Sequence, residues 1–256
     1  MLAPQRQAAI LDRVRATGGV RVSDLAAEFG VSDMTIRRDL EALADRGLLA
    51  KVHGGATSMR PGSTDEPGFA AKSIRQRAEK AAIAVRAAQL VTPGTAVALS
   101  AGTTTAELAQ RLVDVPELTV VTNSIPVADV FYRAGRPDQT VVLTGGVRTP
   151  SDALVGPVAL AAIRSLHLDF LFLGVHGMSE RAGFTTPNLM EADTNRALVA
   201  AAKRLVVLAD HTKWGTVGIS SMAELSEAHV VVTDAGLPAP ARATLTEHVE
   251  ELVIVP

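Results

Sequence analysis

Two different spacings of apolar residues divide the chain of 256 residues into a short first part and a longer second part. In the first part, apolar residues recur every three or four positions, which predicts helices over residues 4–16, 23–29 and 32–46. Beyond Pro93, continuous apolar runs of four or five residues alternate with amphipathic stretches. That alternation is typical of strands joined by helices.

The stretch 23–46 predicts two short helices joined by a tight turn. Ser23 is the predicted N-cap of the first helix and Ser32 that of the second, because a serine hydroxyl accepts a hydrogen bond from a free helical amide. Gly30 supplies the backbone freedom that the turn requires. Six apolar side chains are predicted to face inward: Leu25, Ala26, Phe29, Ile36, Leu40 and Leu43.

The outer side of the second helix carries residue types that suit contact with DNA. Ser32 and Thr35 are followed by Arg37 and Arg38, all near the end that enters the major groove in a helix-turn-helix. The same pattern also fits an ordinary helical hairpin with solvated arginines, or a hairpin that serves only for dimerisation.

A β-hairpin is predicted directly after these helices, with strand residues 48–52 and a turn around Gly54 and Gly55. Three helices followed by a hairpin predict a winged helix-turn-helix, in which Lys51 and His53 are candidate contacts to DNA phosphates. A hairpin without any role in DNA binding is equally compatible with these two residues.

The second part of the chain predicts an α/β domain with a mostly parallel sheet covered on both faces, because continuous apolar strands alternate with helices. The predicted strands are residues 96–99, 119–122, 140–143, 170–173, 205–209, 230–233 and 252–255. The predicted helices include residues 79–90, 105–112, 158–166 and 190–202.

Residues 58–67, SMRPGSTDEP, combine proline, glycine, serine and charge without any periodicity, which indicates a linker. We therefore expect a DNA-binding domain over 1–57, a linker over 58–74 and a second domain over 75–256. A surface loop inside one domain is the alternative explanation of the same composition.

Composition narrows the class of protein. Apolar residues make up 47% of the chain, which is sufficient for a sizeable core, and no apolar run is long enough to cross a membrane. The chain contains no cysteine and shows no secretory signal, so we expect a cytoplasmic protein. The six histidines are scattered, and neither a metal nor a cofactor is predicted.

The first 60 residues carry nine Lys/Arg against seven Asp/Glu, whereas the remainder carries sixteen against twenty. This distribution suits only the first part of the chain to contact with DNA phosphates.

Small, hydroxyl-bearing and charged residues follow the predicted strands, at the edge where open parallel sheets bind ligands. The turn at residues 102–105, Gly-Thr-Thr-Thr, is the sharpest candidate, because glycine admits close approach and free amides at a helix start bind anions. A phosphate monoester fits this turn, although the same residues also fit a turn that binds nothing. Neither of the common nucleotide-binding glycine motifs is present.

These motifs resemble those of the DeoR/GlpR family of bacterial repressors of sugar metabolism. The matching segments are SDLA, GVSDMTIRRDLEAL and VHGGA in the first part, and GTTT, TVVTNS, LTGG and ADHTKWG in the second. Glu191 and a turn at Gly183, Phe184 and Thr185 extend the similarity. The resemblance implies a DNA-binding head and a sensor domain, related in fold to ribose-5-phosphate isomerase, that binds a phosphorylated sugar.

The resemblance also implies roles for particular residues. The candidate DNA-binding residues are Ser23, Ser32, Thr35, Arg37, Arg38, Lys51 and His53. The candidate effector-binding residues are Gly102, Thr103, Thr104, Asn123, Gly145, Asp210 and Lys213. Three positions depart from the family pattern: Lys51 stands where arginine is usual, Ser100 where aspartate is frequent, and Asn195 where lysine is frequent. The last two departures imply that contacts to the effector are altered.

Together these features predict a homo-oligomeric repressor, a dimer or tetramer, that binds operator DNA of a carbohydrate-catabolism operon and responds to a sugar phosphate. A sugar-phosphate isomerase-like enzyme with an appended helix-turn-helix is the alternative. Its available carboxylates are Asp169, Glu191, Asp193 and Asp210. Because Asp169 is predicted at the start of a strand, away from the ligand edge, we predict no catalytic residue.

Overall fold

The computed structural model describes residues 2–17, 19–46, 48–52, 54–57, 66 and 68–256. The chain divides into two compact units, Met1–Pro61 and Gly62–Pro256. Within the described residues, no helix has the length and apolar character needed to span a bilayer.

The smaller unit is a winged helix-turn-helix of three helices and a three-stranded antiparallel sheet. Its elements are α1 (Ala3–Thr17), β1 (Gly19–Arg21), α2 (Val22–Phe29), α3 (Asp33–Asp45), β2 (Ala50–Val52) and β3 (Gly55–Thr57). The strands pair in the order β1-β3-β2. Its core includes the buried residues Ile10, Val14, Leu25, Ile36, Leu40, Leu43 and Leu49. The predicted helices and hairpin are therefore confirmed.

The structure corrects the predicted start of α2. Its N-cap is Arg21 and not Ser23, so Ser23 lies inside the helix. The helix starts earlier because of a tertiary contact: the amide of Val22, the first helical residue, donates to the Gly54 carbonyl of the hairpin at 2.9 Å. At the other end of α2, Gly30 has a φ of 63°, the left-handed conformation expected of a glycine in this turn.

A buried ion pair joins α1 to α3. The Nε atom of Arg6 lies 2.5 Å from Oδ2 of Asp39, and Nε2 of Gln7 donates to Oδ1 of Asp39 at 3.0 Å. Both charged side chains are less than a tenth exposed. Asp39 therefore holds α3 against α1, a contact that local spacing could not predict because its partners are 33 positions apart.

The larger unit contains the remaining helices and strands of the described chain. Its helices are α4 (Phe69–Ser73), α5 (Arg77–Ala88), α6 (Thr103–Leu112), α7 (Ile125–Ala134), α8 (Pro157–Ile163), α9 (Leu189–Ala201) and α10 (Ala239–His248). Its strands are β4 (Ala96–Leu99), β5 (Thr119–Thr122), β6 (Thr140–Leu143), β7 (Val147–Arg148), β8 (Leu154–Val155), β9 (Leu168–Gly174), β10 (Gly177–Ser179), β11 (Gly183–Thr186), β12 (Ala202–Leu208), β13 (Ser220–Ala223), β14 (Val230–Asp234) and β15 (Glu251–Val255).

Seven of these strands form one parallel sheet in the order β15-β14-β12-β9-β4-β5-β6. They are the seven strands predicted from the apolar runs, each with ends within three residues of the prediction. Successive residues of β9 belong to different cores: Leu171 and Leu173 pack with α8, α9 and α10, whereas Phe172 packs with α5, α6 and α7. Burial of both faces explains why the strands are continuously apolar.

A second, antiparallel sheet in the order β10-β11-β13 corrects another prediction. Gly183, Phe184 and Thr185 are predicted as a turn, but they lie in β11, and the turn precedes them at residues 180–182. A Cβ atom on Gly183 would lie 2.3 Å from the Ala223 carbonyl oxygen of β13. The glycine therefore serves close strand packing at this position.

The chain order reverses between β4 and β9, which are neighbours at the centre of the sheet. From β4 the chain continues to β5 and β6 on one side, and from β9 it continues to β12, β14 and β15 on the other. Ser100, directly after β4, is fully buried and donates its amide to the Phe172 carbonyl at 3.1 Å. Its Oγ atom accepts the Gly174 amide at 2.9 Å. Ser100 thus joins the two strands at the edge where ligands bind in open α/β sheets.

Replacing Ser100 with alanine is expected to lower the free energy of unfolding of the larger unit by about 1–2 kcal/mol, because the Gly174 amide loses its acceptor. Urea denaturation followed by fluorescence of Trp214, the single tryptophan, measures this change. Ser165→Ala, at an exposed position, is the matched control and should change the value by less than about 0.5 kcal/mol. Equal effects of the two variants would contradict the role given to Ser100.

Candidate functional site

The outer side of α3 presents the candidate DNA-binding arginines. Ile36, Leu40 and Leu43 are buried, whereas Arg37 and Arg38 are exposed. The helix thus separates a packing face from a cationic face, as its sequence predicts.

The N-terminal end of α3 is capped by Ser32, as predicted. Its Oγ atom accepts the Thr35 amide at 3.3 Å and lies 2.9 Å from the Thr35 hydroxyl oxygen. Met34, which sequence reasoning did not single out, is 59% exposed at the same end. Its position three residues before Arg37 was the available signal, because residues three apart share a helix face. An exposed methionine at this end offers apolar surface of the kind that contacts thymine methyl groups.

The other candidate DNA-binding residues differ from these in their surroundings. Nζ of Lys51 donates to Oε1 of Glu41 at 2.8 Å, which lowers the pKa of Glu41, so the wing lysine is paired with α3 in the unbound protein. Ser23 is exposed and donates to Oδ1 of Asp24 at 3.1 Å. His53 lies outside the described residues.

In the larger unit, the turn after β4 is held from the neighbouring strand. Oδ1 of Asn123 accepts the Ala101 amide at 3.0 Å, while its Nδ2 donates to the Leu154 carbonyl at 3.3 Å. Gly102 is the N-cap of α6, and no side chain in the described part of the chain caps this helix end. The helix that begins at Thr103 therefore presents amides without a side-chain acceptor at the carboxyl edge of the sheet.

Asp210 lies at the same edge, directly after β12, and is 1% exposed. Its Oδ1 accepts hydrogen bonds from the amide (3.1 Å) and the hydroxyl of Thr212. Among the described residues its Oδ2 has no hydrogen-bond partner, and Nζ of Lys213 lies 3.9 Å from it. The buried Oδ2 atom therefore has a cation nearby, but at a distance longer than a hydrogen bond.

Two further lysines act on the same region, and sequence reasoning missed both. Lys80 is 4% exposed, and its pKa is lowered to about 8, mainly by burial, with Asp210 opposing the shift and Lys213 and Lys72 adding to it. Burial is also the main cause that lowers the pKa of Lys72, with Glu191 opposing and Lys213 adding to the shift. We call Lys72, Lys80 and Lys213 the lysine cluster.

The position of Lys80 on its helix was the signal that could have revealed it. It precedes Ile83 by three residues and Ala87 by seven, so it lies on the apolar face of α5. A lysine on a buried helix face must find polar partners. Here Nζ donates to the carbonyl oxygens of Lys72 and Arg75, both at 2.6 Å.

Glu191, which the family resemblance singled out, is buried beside this cluster. Burial raises its pKa, hydrogen bonds from Thr149 (2.7 Å) and Thr186 (3.2 Å) oppose the shift, and the charge of Glu66 adds to it. The Lys72 charge lowers the same pKa. The carboxylate is therefore part of the charge balance around the lysine cluster.

Three other positions that sequence reasoning singled out have different surroundings. Gly145 has a φ of 74° and lies beside Val158 of α8. Asn195 donates its Nδ2 to the sulfur of Met222 at 3.0 Å, so it packs between α9 and β13. Asp169 lies at the amino edge of the sheet, as predicted, where its carboxylate accepts the Ala96 amide at 3.0 Å.

A winged helix-turn-helix and an α/β unit with a cation-lined ligand edge, carried by one chain, define a ligand-responsive transcriptional regulator. Residues 6–61 match the family model of the DeoR-like helix-turn-helix domain, and residues 75–235 match that of the DeoR C terminal sensor domain. The chain therefore belongs to the DeoR/GlpR family of transcriptional regulators.

Similar proteins agree with this assignment. The chain is 37% identical to the HTH-type transcriptional regulator YgbI of Escherichia coli (strain K12), over 99% of this chain and 98% of that protein. It is 35% identical to the HTH-type transcriptional regulator GlpR of Haloferax volcanii, over 94% of each. It is 31% identical to the glycerol-3-phosphate regulon repressor of Escherichia coli (strain K12), over 95% and 96%. Among solved structures, ribose 5-phosphate isomerase A from Methanocaldococcus jannaschii aligns with 54% of each chain at 16% identity and a TM-score of 0.39.

The lowered pKa of Lys80 predicts how stability depends on pH. The unfolded chain keeps the proton of this lysine up to about pH 10.4, whereas the folded chain releases it near pH 8. The unfolded state thus binds more protons between these values, so the contribution of Lys80 to the free energy of unfolding rises with pH there. Lys80→Met should remove this rise, which urea denaturation at pH 7.5 and pH 9.5 measures. Lys203→Met, at the exposed lysine that pairs with Asp169, should retain it, and an unchanged rise in Lys80→Met would contradict the assignment.

Proposed function

We propose that this regulator represses a carbohydrate-catabolism operon and that a phosphorylated sugar, bound at the carboxyl edge of the seven-stranded sheet, controls its affinity for operator DNA. The observation that carries the proposal is the lysine cluster beside Asp210, at an edge that also holds the uncapped start of α6. Burial lowers the pKa of Lys72 and of Lys80, and the charge of Lys213 adds to both shifts, so the three ammonium groups are near enough to attract one anion. A phosphate dianion satisfies such a site.

Each part of the edge has a distinct role in this proposal. The lysine cluster and the amides at Thr103 and Thr104 bind phosphoryl oxygens, and Gly102 admits the phosphate close to the backbone. Oδ2 of Asp210 accepts a hydrogen bond from a sugar hydroxyl. Gly145 contributes to the pocket wall.

Asn123 has a positioning role in this proposal. Its oxygen and its nitrogen are both engaged, with the Ala101 amide and the Leu154 carbonyl. The side chain therefore fixes the turn that carries Gly102 relative to β8.

Binding without turnover is the proposed activity. Asp169, one of the carboxylates considered for isomerase chemistry, is paired with Lys203 at the opposite edge of the sheet. Glu191 is held by two threonine hydroxyls. One relative is named as a glycerol-3-phosphate regulon repressor, which supports a small phosphorylated sugar or polyol as the effector class.

The proposed DNA-reading surface is the exposed end of α3 together with the wing. Arg37 and Arg38 contact phosphates or bases, and Lys51 exchanges Glu41 for a phosphate. A homo-oligomer, a dimer or tetramer, places two such heads on two half-sites about one or more helical turns apart. The effector then acts by binding more tightly to the arrangement that does not fit the operator.

A sugar phosphate that occupies the lysine cluster is expected to raise the melting temperature of the full chain. At about one hundred times its dissociation constant, a ligand adds about 2.7 kcal/mol, which is roughly 5–10 °C for a domain of this size. Thermal scans with a panel of phosphorylated and matching unphosphorylated sugars measure the effect. Lys213→Met should reduce the shift by more than half and Lys203→Met should leave it unchanged. A larger shift with the unphosphorylated sugars would refute the proposed ligand class.

Replacing Arg37 or Arg38 with alanine is expected to weaken binding to the promoter region of the neighbouring genes by about 1–3 kcal/mol. A lost phosphate contact also lowers the slope of log affinity against log salt by about one. Fluorescence anisotropy with labelled promoter DNA at several salt concentrations measures both quantities. Arg46→Ala, at the opposite end of α3, is the matched control. If Arg37→Ala and Arg38→Ala bound like the control, α3 would not be the reading helix.

A further inference from the structure

A short segment near the start of the larger unit is fixed at one end by its own carboxylate. We call Glu66 and residues 68–73 the tether; it includes α4 and lies at the C-terminal end of the linker predicted over 58–74. Oε1 of Glu66 accepts a hydrogen bond from Ser151 Oγ at 3.1 Å, and Oε2 accepts one from Asn188 Nδ2 at 2.9 Å. Both carboxylate oxygens are therefore engaged by the body of the larger unit.

The other end of the tether is fixed by the lysine cluster. Nζ of Lys72 donates to Ser151 Oγ at 2.8 Å, and the carbonyl oxygen of Lys72 accepts a hydrogen bond from Lys80. Between the two ends, the Phe69 amide donates to the Pro150 carbonyl at 3.3 Å. The tether is thus held along its length by one loop of the body and by a lysine of the candidate effector site.

Ser151 links the two ends chemically. Its hydroxyl accepts from Lys72 and donates its single proton to Glu66, and the residue is 4% exposed. If Lys72 changes its partner, the Ser151 hydroxyl loses the donor that polarises it and Glu66 loses a nearby positive charge, so the hold on Glu66 weakens. Asn188 adds a second connection, because its Oδ1 accepts the amides of Met190 and Glu191 at the start of α9.

Lys72 differs from the other two lysines of the cluster in the structural element to which it belongs. Lys80 lies on α5, and Lys213 lies on the short 3₁₀ turn after β12. Lys72 lies on the tether itself. An anion that attracts all three ammonium groups therefore pulls on the tether through Lys72, while the other two lysines belong to the packed body.

We propose that the tether transmits effector binding to the linker: Lys72 exchanges Ser151 for the bound anion, and this releases the Glu66 carboxylate from Ser151 and Asn188. The inference rests on the proposed effector site and names the element through which that site acts. Coupling between two equilibria is reciprocal. The Glu66 contacts therefore weaken effector binding by the same free energy by which the effector weakens these contacts.

Two variants release Glu66 without replacing a lysine of the cluster. Glu66→Gln leaves one oxygen acceptor for two donors and removes the charge. Asn188→Asp places a second carboxylate against Glu66, while an aspartate still caps the start of α9. Because the two changes act on opposite partners, a folding defect in one does not leave the inference without a test. Glu247→Gln, at an exposed position on α10, is the matched control.

The chain offers two independent reporters. Trp214, next to Lys213, is the single tryptophan and reports binding, and the absence of cysteine allows one label at Ala71→Cys on the exposed side of the tether. Inorganic phosphate is the probe, with sodium chloride at equal ionic strength as the reference. In the otherwise unchanged protein, phosphate should raise the mobility of a spin label at residue 71 with the same midpoint as the Trp214 signal.

In Glu66→Gln and Asn188→Asp, the label should already be mobile without phosphate, and phosphate should change it little. Trp214 titration should show equal or up to about tenfold tighter phosphate binding, because the opposing contacts are gone. The change that phosphate causes in promoter affinity should fall from about tenfold to less than threefold. The Glu247→Gln variant should keep the full responses.

The outcomes separate this inference from the proposed function. A Trp214 response with an immobile label, or a full promoter response in both variants, would overturn the tether and leave the effector site intact. A flat Trp214 signal up to about 50 mM phosphate would overturn the effector site and the tether with it.

Discussion

Burial of lysine ammonium groups beside carboxylates is the constraint on which the larger unit depends. Lys80 is almost fully buried, and burial of an ammonium group costs several kcal/mol unless polar partners replace water. The structure meets this cost with two carbonyl oxygens and the nearby carboxylate of Asp210. In the proposed function, a phosphate dianion becomes a further partner of the same ammonium groups, so stability and ligand binding depend on the same residues.

The topology explains why this cluster lies where it does. Parallel strands end at one edge, and reversal of the chain order between β4 and β9 opens that edge to a ligand. Ser100 closes the gap between the two strands with hydrogen bonds, which fix the start of the turn after β4. In the proposed function, the Ser100 hydroxyl is already engaged by the Gly174 amide, whereas Oδ2 of Asp210 has no hydrogen-bond partner among the described residues and is a candidate contact to a sugar hydroxyl.

The sequence predicts the fold in more detail than it predicts the site. The fold follows from local spacing, whereas the site depends on contacts between residues that are distant in sequence. All seven parallel strands and both helices of the helix-turn-helix follow from local apolar spacing, because burial of a face imposes a period. The cap at Ser23 was wrong because the Gly54 carbonyl, distant in sequence, satisfies the start of α2. Lys72 and Lys80 were missed because a lysine in a helix is usually solvated, although the spacing of Lys80 from Ile83 and Ala87 places it on the apolar face of α5. The site is assembled from segments that are distant in sequence, and a local pattern describes only one segment at a time.

In both units, the candidate anion-binding cations have partners that differ in the free energy needed to separate them. Lys51 is paired with Glu41 at an exposed site, where an ion pair contributes at most about 1 kcal/mol, so exchange of the carboxylate for a DNA phosphate costs little. Asp39, two residues before Glu41 on α3, is instead buried with Arg6, and breaking that pair would cost about 3–5 kcal/mol. The run Arg37-Arg38-Asp39 therefore divides by burial into two exposed cations and one buried structural anion. Because burial decides which charges are fixed by packing, the exposed arginines are accessible to a ligand while the buried pair anchors the helix that carries them.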